Sequence, residues 1–94
     1  EKGMLSQMKK DDNNSVSMSD FFNKKTGLFI KYKRKELGLT GQDLAIILNV
    51  SQQQISRYEN GTTNITVTLL NKILMILDSS WSEFLTFNEL TDRY

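Results

Sequence analysis

The sequence predicts an all-α fold in which five short helices enclose one core. Three observations lead to this prediction. The chain has 94 residues, of which 38% are apolar, so it can support one modest core and a single domain. Residues that favour helix N-termini recur along the chain, at Thr40, Ser51, Thr66 and Ser80. The apolar residues that follow them are spaced three and four positions apart, as one face of a helix requires.

The first helix is predicted to run from about Asp20 to Leu37, where Gly38 ends it. The residues of this helix that can face inward are Phe22, Phe29, Ile30 and Leu37. Residues 1–19 are polar and lack a helical or strand period, so we expect them to form a flexible N-terminal arm.

Two reciprocal capping boxes predict the starts of the second and third helices. Thr40 precedes Asp43 by three residues, and Ser51 precedes Gln54 by the same interval, so each pair can exchange side-chain and backbone hydrogen bonds. Asn49 lies between them and adopts the left-handed conformation cheaply, which predicts a tight turn. Each of the two helix starts also carries a hydrophobic staple, formed by Leu39 with Leu44 and by Val50 with Ile55. The alternative to a functional pair of helices is an ordinary helical hairpin without a ligand.

The third helix, Gln52 to Asn60, has two chemically different faces. At roughly 100° per residue, Ile55 and Tyr58 lie on the apolar face. The opposite face carries Gln52, Gln53, Ser56, Arg57 and Asn60. These amide, hydroxyl and guanidinium groups differ from the Lys and Glu pairs of a solvated helix. Gln can form two hydrogen bonds with adenine and Arg two with guanine, so the pattern indicates a helix that reads base edges in the major groove.

Charge is distributed unevenly along the chain. The whole sequence has a net charge of +1, but residues 21–40 contain six basic residues and one acidic residue. A basic first helix beside a base-reading helix suits a protein that presents one side to phosphates. For the lysine cluster taken alone, the alternative is a solvated helix face.

The remaining helices complete the predicted domain, which spans residues 20–86. The fourth starts at Thr66 and continues through Leu77 with apolar residues at most positions, so it should form the buried centre. Ser80 and Glu83 cap the fifth helix. Residues 87–94 form a C-terminal extension. We expect its apolar and aromatic groups to form a dimer interface, with packing back on the domain as the alternative; they are Phe87, Leu90 and Tyr94.

The composition disfavours several classes of function. Without histidine or cysteine, we expect no disulfide, no metal site and no cofactor. No carboxylate pair falls where a pocket is implied, so an enzyme is not expected. No apolar run approaches the roughly 18 residues of a membrane span, and the N-terminus lacks the apolar segment of a signal peptide. We therefore expect a cytoplasmic protein with no membrane partner and no small-molecule effector.

The segment from Leu39 to Gly61 resembles the helix-turn-helix of the lambda repressor and Cro, the Cro/C1-type or xenobiotic-response-element family. The likeness extends over most of the chain. Upstream it rests on Gly27, Ile30, Lys33, Arg34 and the Leu37 to Thr40 run, and downstream on Leu69, Leu70, Ile73, Leu77 and Trp81. It implies a compact, lambda-repressor-like domain of five helices.

The resemblance also implies a function: a sequence-specific transcriptional regulator that binds double-stranded DNA as a homodimer. The alternative is the antitoxin of a toxin–antitoxin pair that autoregulates its operon. The run from Gln52 to Gly61 is similar to regulators associated with fimbrial operons in enteric bacteria. Such a protein is expected in the bacterial cytoplasm, on the nucleoid when it is bound to DNA.

By the same likeness, individual residues receive roles. The base contacts would come from Gln52, Gln53 and Arg57, with Ser56 beside them. The phosphate contacts would come from Lys33, Arg34, Gly41, Gln42, Ser51, Asn60 and Thr62. Arg34 and Glu59 would form an ion pair that joins the first helix to the recognition helix.

Two positions depart from the family pattern. At Gly41 many relatives carry a Gln that clamps a phosphate, so this chain could make that contact only through a backbone N–H. At Ser79 relatives usually carry an apolar residue, so we expect one edge of the core to be looser.

Overall fold

Five helices form the part of the chain that the structure, a computed structural model, describes, which is residues 17–92 with side chains as far as residue 88. They are α1 (Met18–Glu36), α2 (Gly41–Leu48), α3 (Gln52–Asn60), α4 (Val67–Ile76) and α5 (Trp81–Asp92). The prediction of an all-α domain with five helices is confirmed. None of the described helices is both long and apolar enough to cross a membrane.

The starts of α2 and α3 lie where their cap residues predict them. The side chain of Thr40 accepts a hydrogen bond from the backbone N–H of Asp43, and the Asp43 carboxylate accepts one from the backbone N–H of Thr40, at 3.0 and 2.9 Å. At Ser51 the structure contains the forward bond, from the Gln54 N–H to the Ser51 hydroxyl oxygen at 3.1 Å. Asn49 ends α2 in the left-handed conformation, at φ 59° and ψ 47°. Local capping therefore determines the tight turn between α2 and α3.

The first helix begins slightly earlier than expected. Ser17 is its N-cap and accepts a hydrogen bond from the backbone N–H of Asp20, so the helix starts at Met18. Residues 17–19 of the predicted arm are therefore the cap and first residues of α1, and residues 1–16 lie outside the described part of the chain.

The core is built mainly from apolar residues on all five helices. Its fully buried members include Phe29, Ile30, Leu44, Ile55, Leu70, Ile73, Leu74, Leu77 and Phe84. Two residues expected to face inward do not: Phe22 is 40% exposed and Leu37 is 46% exposed. Leu37 follows the last residue of α1, where it no longer shares the buried face. Phe22 lies at the edge of the core, with its ring edge-on to Phe84 at 6.1 Å.

The first helix lies very close to the third because α1 carries Gly27 at the crossing. A Cβ built on Gly27 would lie only 2.4 Å from the carbonyl oxygen of Tyr58 and 2.5 Å from that of Glu59. At the end of α3, Gly61 has a φ of 71°, and a Cβ there would lie 2.7 Å from the Cα of Lys24. The two glycines allow backbone to approach backbone. They hold the C-terminal half of α3 against α1.

The fifth helix packs on the other side of α1. Phe87 is half-buried, with its ring 5.2 Å from that of Phe29 and stacked at 5.3 Å on Tyr32. It packs back on its own domain, the alternative that the sequence left open. The side chain of Leu90 and the whole of Tyr94 lie outside the described residues.

Ser79, which departs from the family pattern, is engaged in a polar contact. Its hydroxyl donates to a carboxylate oxygen of Glu83 at 2.8 Å. A hydrogen bond therefore occupies the edge of the core where relatives usually place an apolar side chain.

Candidate nucleic-acid interface

The third helix turns its polar side chains to solvent. Ile55 and Tyr58 are buried, at 2% and 9% exposure, and anchor the helix against the core. The opposite face carries the exposed residues Gln52, Gln53, Ser56, Arg57 and Asn60. The described structure therefore contains one exposed array of two amides, a hydroxyl and a guanidinium, and the amide of Asn60 extends it.

A buried ion pair holds this array in place. The Nε of Arg34 donates to one carboxylate oxygen of Glu59 at 2.6 Å, and its Nη2 donates to the other at 3.0 Å. The Nη1 of the same guanidinium donates to the carbonyl oxygen of Leu39 at 2.9 Å. The side chains of Arg34 and Glu59 are only 11% and 8% exposed. The hydrogen bond to Glu59 raises the pKa of Arg34 above its usual value. One side chain thus links α1, α3 and the loop that leads into α2.

The expected phosphate contact at Arg34 competes with its hydrogen bonds inside the protein. Its guanidinium is committed to three acceptor atoms of the protein and is largely buried. In the structure Arg34 joins α1 to α3 through the ion pair, and its contact with a phosphate stays a prediction.

The expected phosphate contact at Lys33 likewise competes with ion pairs inside the protein. Lys33 is 7% exposed, and its Nζ lies 2.7 Å from a carboxylate oxygen of Glu36 and 2.7 Å from one of Glu83. These two hydrogen bonds raise the pKa of Lys33 and lower the pKa of both carboxyl groups. Because neighbouring helix positions differ by about 100°, Lys33 faces α5 while Arg34 faces α3. Its charge is neutralised within the domain.

A different lysine lies beside the polar face of α3. Lys31 is exposed and lines a concave surface between α1 and the starts of α2 and α3. We call this surface the α1–α3 notch; its lining includes Lys31, Arg34, Gly41, Gln52, Ser56 and Asn60. Sequence reasoning missed Lys31, although its spacing of three residues from Arg34 indicates the same helix face.

The remaining expected phosphate ligands differ in how many donors they retain. Gln42 and Ser51 are exposed at the N-termini of α2 and α3, where free backbone N–H groups and the helix dipole favour anions. Asn60 shares one amide hydrogen with Ser56 over a long 3.4 Å contact. The Thr62 hydroxyl donates to the carbonyl oxygen of Arg57 at 3.3 Å, so it offers a phosphate no free hydroxyl hydrogen in this conformation.

Two capped helices around a tight turn, with the second exposing amide, hydroxyl and guanidinium side chains, are typical of DNA-binding helix-turn-helix domains. The comparison with protein families agrees: the model of the Helix-turn-helix family matches residues 30–84. The chain therefore belongs to the helix-turn-helix family of Cro/C1 type, and it is a DNA-binding regulator. No curated protein matches the chain at a significant level.

Proposed function

We propose that the chain is a sequence-specific transcriptional regulator that binds double-stranded DNA as a homodimer, with α3 in the major groove. The observation that supports this proposal best is the exposed face of α3. It presents amides and a guanidinium toward solvent while its opposite face is buried in the core.

The chemistry of this face matches the major groove. Gln52 and Gln53 can each pair with the N6 and N7 atoms of adenine, and Arg57 can pair with the O6 and N7 atoms of guanine. Ser56 can donate to or accept from either base type. All four side chains are exposed, so none must leave the core to reach a base.

Backbone contacts would orient the helix on the duplex. In this proposal Gly41, Gln42 and Ser51 bind phosphates at the two helix N-termini, and Asn60 binds one at the end of α3. Such contacts fix the register of a protein on DNA and carry no sequence information themselves. The ion pair between Arg34 and Glu59 keeps α3 aligned while these contacts form.

A dimer follows from the small size of the reading helix. One module contacts too few base pairs for strong discrimination, and two copies would place their α3 helices about 34 Å apart, on successive turns of the groove. An exposed apolar patch suits a second copy. It combines the start of α1 with α5, and its members are Met18, Phe21, Phe22 and Leu85. It lies on the side of α1 that packs against α5, so it leaves the face of α3 free.

Selection of bound sequences from a random DNA pool tests this function. The wild-type protein should enrich a site with two related half-sites. Arg57→Ala should lose discrimination at one base pair in each half-site, at a cost of about 1 to 3 kcal/mol. Lys72→Ala, which removes one exposed positive charge from α4, is the control and should enrich the same sequence as the wild type. The proposal fails if the wild-type protein enriches no sequence.

A further inference from the structure

We propose that Lys31 binds a DNA backbone phosphate in the α1–α3 notch, where the absence of a side chain at Gly41 leaves room for it. This inference rests on the proposed function, since the phosphate belongs to the duplex that α3 reads. It assigns a contact to a residue outside the recognition helix and outside the two cap regions.

The shape of the notch is the first argument. A Cβ built on Gly41 would lie 3.8 Å from Nε2 of Gln52, so the amide of Gln52 occupies the space next to the bare backbone of Gly41. Lys31 lines the same concavity from α1. Three elements therefore contribute Lys31, Gln52 and Gly41 to one concave surface, and an ammonium, an amide and a backbone N–H can each donate to a phosphate oxygen.

The backbone donors at this opening are free of helical partners. The first N–H groups of a helix have no intrahelical acceptor. At the start of α2, the side chain of Thr40 accepts a hydrogen bond from the Asp43 N–H. The cap therefore does not use the Gly41 N–H. Without a side chain on Gly41, an incoming phosphate can approach this N–H directly.

Electrostatics distinguish Lys31 from its neighbours. The charges of Arg34 and Glu59 cancel within the notch, and the charge of Lys33 is compensated by two carboxylates on the side of α5. Lys31 forms no ion pair in the described part of the chain, so it leaves the notch with a net positive charge. Lys35 is also exposed, but it does not line the notch. A bound phosphate is attracted more strongly to a cation without a counterion in a concave surface than to a cation that already has a carboxylate partner.

The test compares Lys31→Gln with Lys35→Gln on the selected site. Both substitutions remove one exposed positive charge from α1. Because the dimer carries two copies of Lys31, we expect Lys31→Gln to weaken binding at least about tenfold and to reduce the slope of log affinity against log salt by about two, about one for each protomer. The loss should be similar on the selected and a scrambled sequence. Lys35→Gln should leave the slope unchanged and should change the affinity by less than about twofold, because solvent and salt screen its charge from any one phosphate.

Replacement of single phosphates by neutral methylphosphonates then locates the contact. For the wild type and Lys35→Gln, one neutralised phosphate beside each half-site should weaken binding. Lys31→Gln should be insensitive at that phosphate and remain sensitive at the others. Thermal unfolding of the three proteins checks that the exposed substitutions leave the fold intact.

Each outcome decides the inference. If the wild type selects a sequence and Lys31→Gln keeps its salt slope and its full set of sensitive phosphates, the Lys31 contact is wrong and the proposed function stands. Equal effects of Lys31→Gln and Lys35→Gln also overturn the inference, because they would show a diffuse charge effect and no localised phosphate contact. If the wild type selects no sequence, the proposed function fails and the inference fails with it.

Discussion

Arg34 and Glu59 form a bidentate ion pair, with Arg34 Nε at 2.6 Å and Nη2 at 3.0 Å from the two carboxylate oxygens of Glu59. The pair joins the last turn of α1 to the last turn of α3 and is almost completely buried. It therefore fixes the orientation of the exposed polar face of α3 relative to the first helix. Planar bidentate pairs of this kind fix the relative orientation of the two side chains, and their two hydrogen bonds are stronger than bonds between neutral groups.

Removal of one partner of this pair should strongly destabilise the domain. Arg34→Met leaves the Glu59 carboxylate buried without a counterion, so the free energy of unfolding should fall by about 3 to 5 kcal/mol. Urea denaturation measures the change. Lys35→Met, which removes an exposed positive charge one position later, is the control and should change stability by less than about 0.5 kcal/mol. The double variant with Glu59→Met should recover a substantial part of the loss. Equal stability of Arg34→Met and the control would contradict a structural role for the pair.

The two glycines Gly27 and Gly41 should respond oppositely to alanine. In Gly27→Ala the added methyl meets the carbonyl oxygens of Tyr58 and Glu59 at 2.4 and 2.5 Å, so α1 must move away from α3. The expected loss is about 1 to 3 kcal/mol in the free energy of unfolding. In Gly41→Ala the nearest atom is 3.8 Å away at a helical position, so stability should rise by about 0.4 to 1 kcal/mol. Thermal or urea unfolding of both variants tests the contrast, and a harmless Gly27→Ala would be evidence against the close approach of the helices.

The carboxylate of Glu83 should make the stability of the folded domain depend on pH in the acidic range. The hydrogen bond from Lys33 lowers the pKa of Glu83 in the folded protein. The stabilisation is therefore complete above the ordinary pKa of a Glu side chain, about 4.3, and is lost as pH falls through the lower folded value. Glu83→Gln should be less stable than the wild type at pH 7, and this difference should shrink steadily below about pH 4.

Thermal unfolding between pH 3 and pH 7 measures this difference. Asp78→Asn is the matched control, because it removes one exposed negative charge that forms no ion pair in the described structure. It should keep nearly the wild-type stability at pH 7. A difference between Glu83→Gln and the wild type that stays constant down to pH 3 would refute the role of the carboxylate charge.

The proposed dimer interface should be sensitive to charge at Leu85. Leu85 is 60% exposed within the apolar patch on α1 and α5, so Leu85→Glu should place a carboxylate in the interface and weaken self-association at least tenfold. Met75 on α4 is 72% exposed and lies outside the patch, so Met75→Glu is the control and should dimerise normally. Sedimentation velocity over a range of protein concentrations separates monomer from dimer. A wild-type protein that stays monomeric both alone and on its selected DNA would refute the dimer itself.

The features that sequence reasoning predicted well are those set by neighbours along the chain. The caps at Thr40, Ser51 and Thr66 each bind the N–H three residues later, and the turn at Asn49 is left-handed. The polar side of α3 follows from the period of one helix. Such features need only a few consecutive residues, so local chemistry suffices to identify them.

The roles of the lysines could not be assigned in this way. The sequence groups Lys31, Lys33 and Lys35 as one basic cluster, yet Lys33 is buried between two carboxylates while Lys31 lines the notch beside α3. The partner of Lys33 on α5, Glu83, is 50 residues away in the chain. Phe87 similarly contacts Phe29 across the domain. The sequence shows that such residues are present, but it does not show which distant residues they contact.

Sequence alone was enough to predict where α2 to α5 start, where α2 turns into α3, and which polar side chains share one face of α3, because these features depend on capping and helical period. Three other features are visible only in the folded domain: which lysine lines the notch, how closely α1 approaches α3 at Gly27, and where Phe87 packs. Those outcomes depend on how whole helices rotate and pack against partners distant in the chain. Lys31 and Lys33 are two positions apart on α1 and so differ by about 200° around its axis, which places Lys31 beside α3 and Lys33 in ion pairs with Glu36 and Glu83.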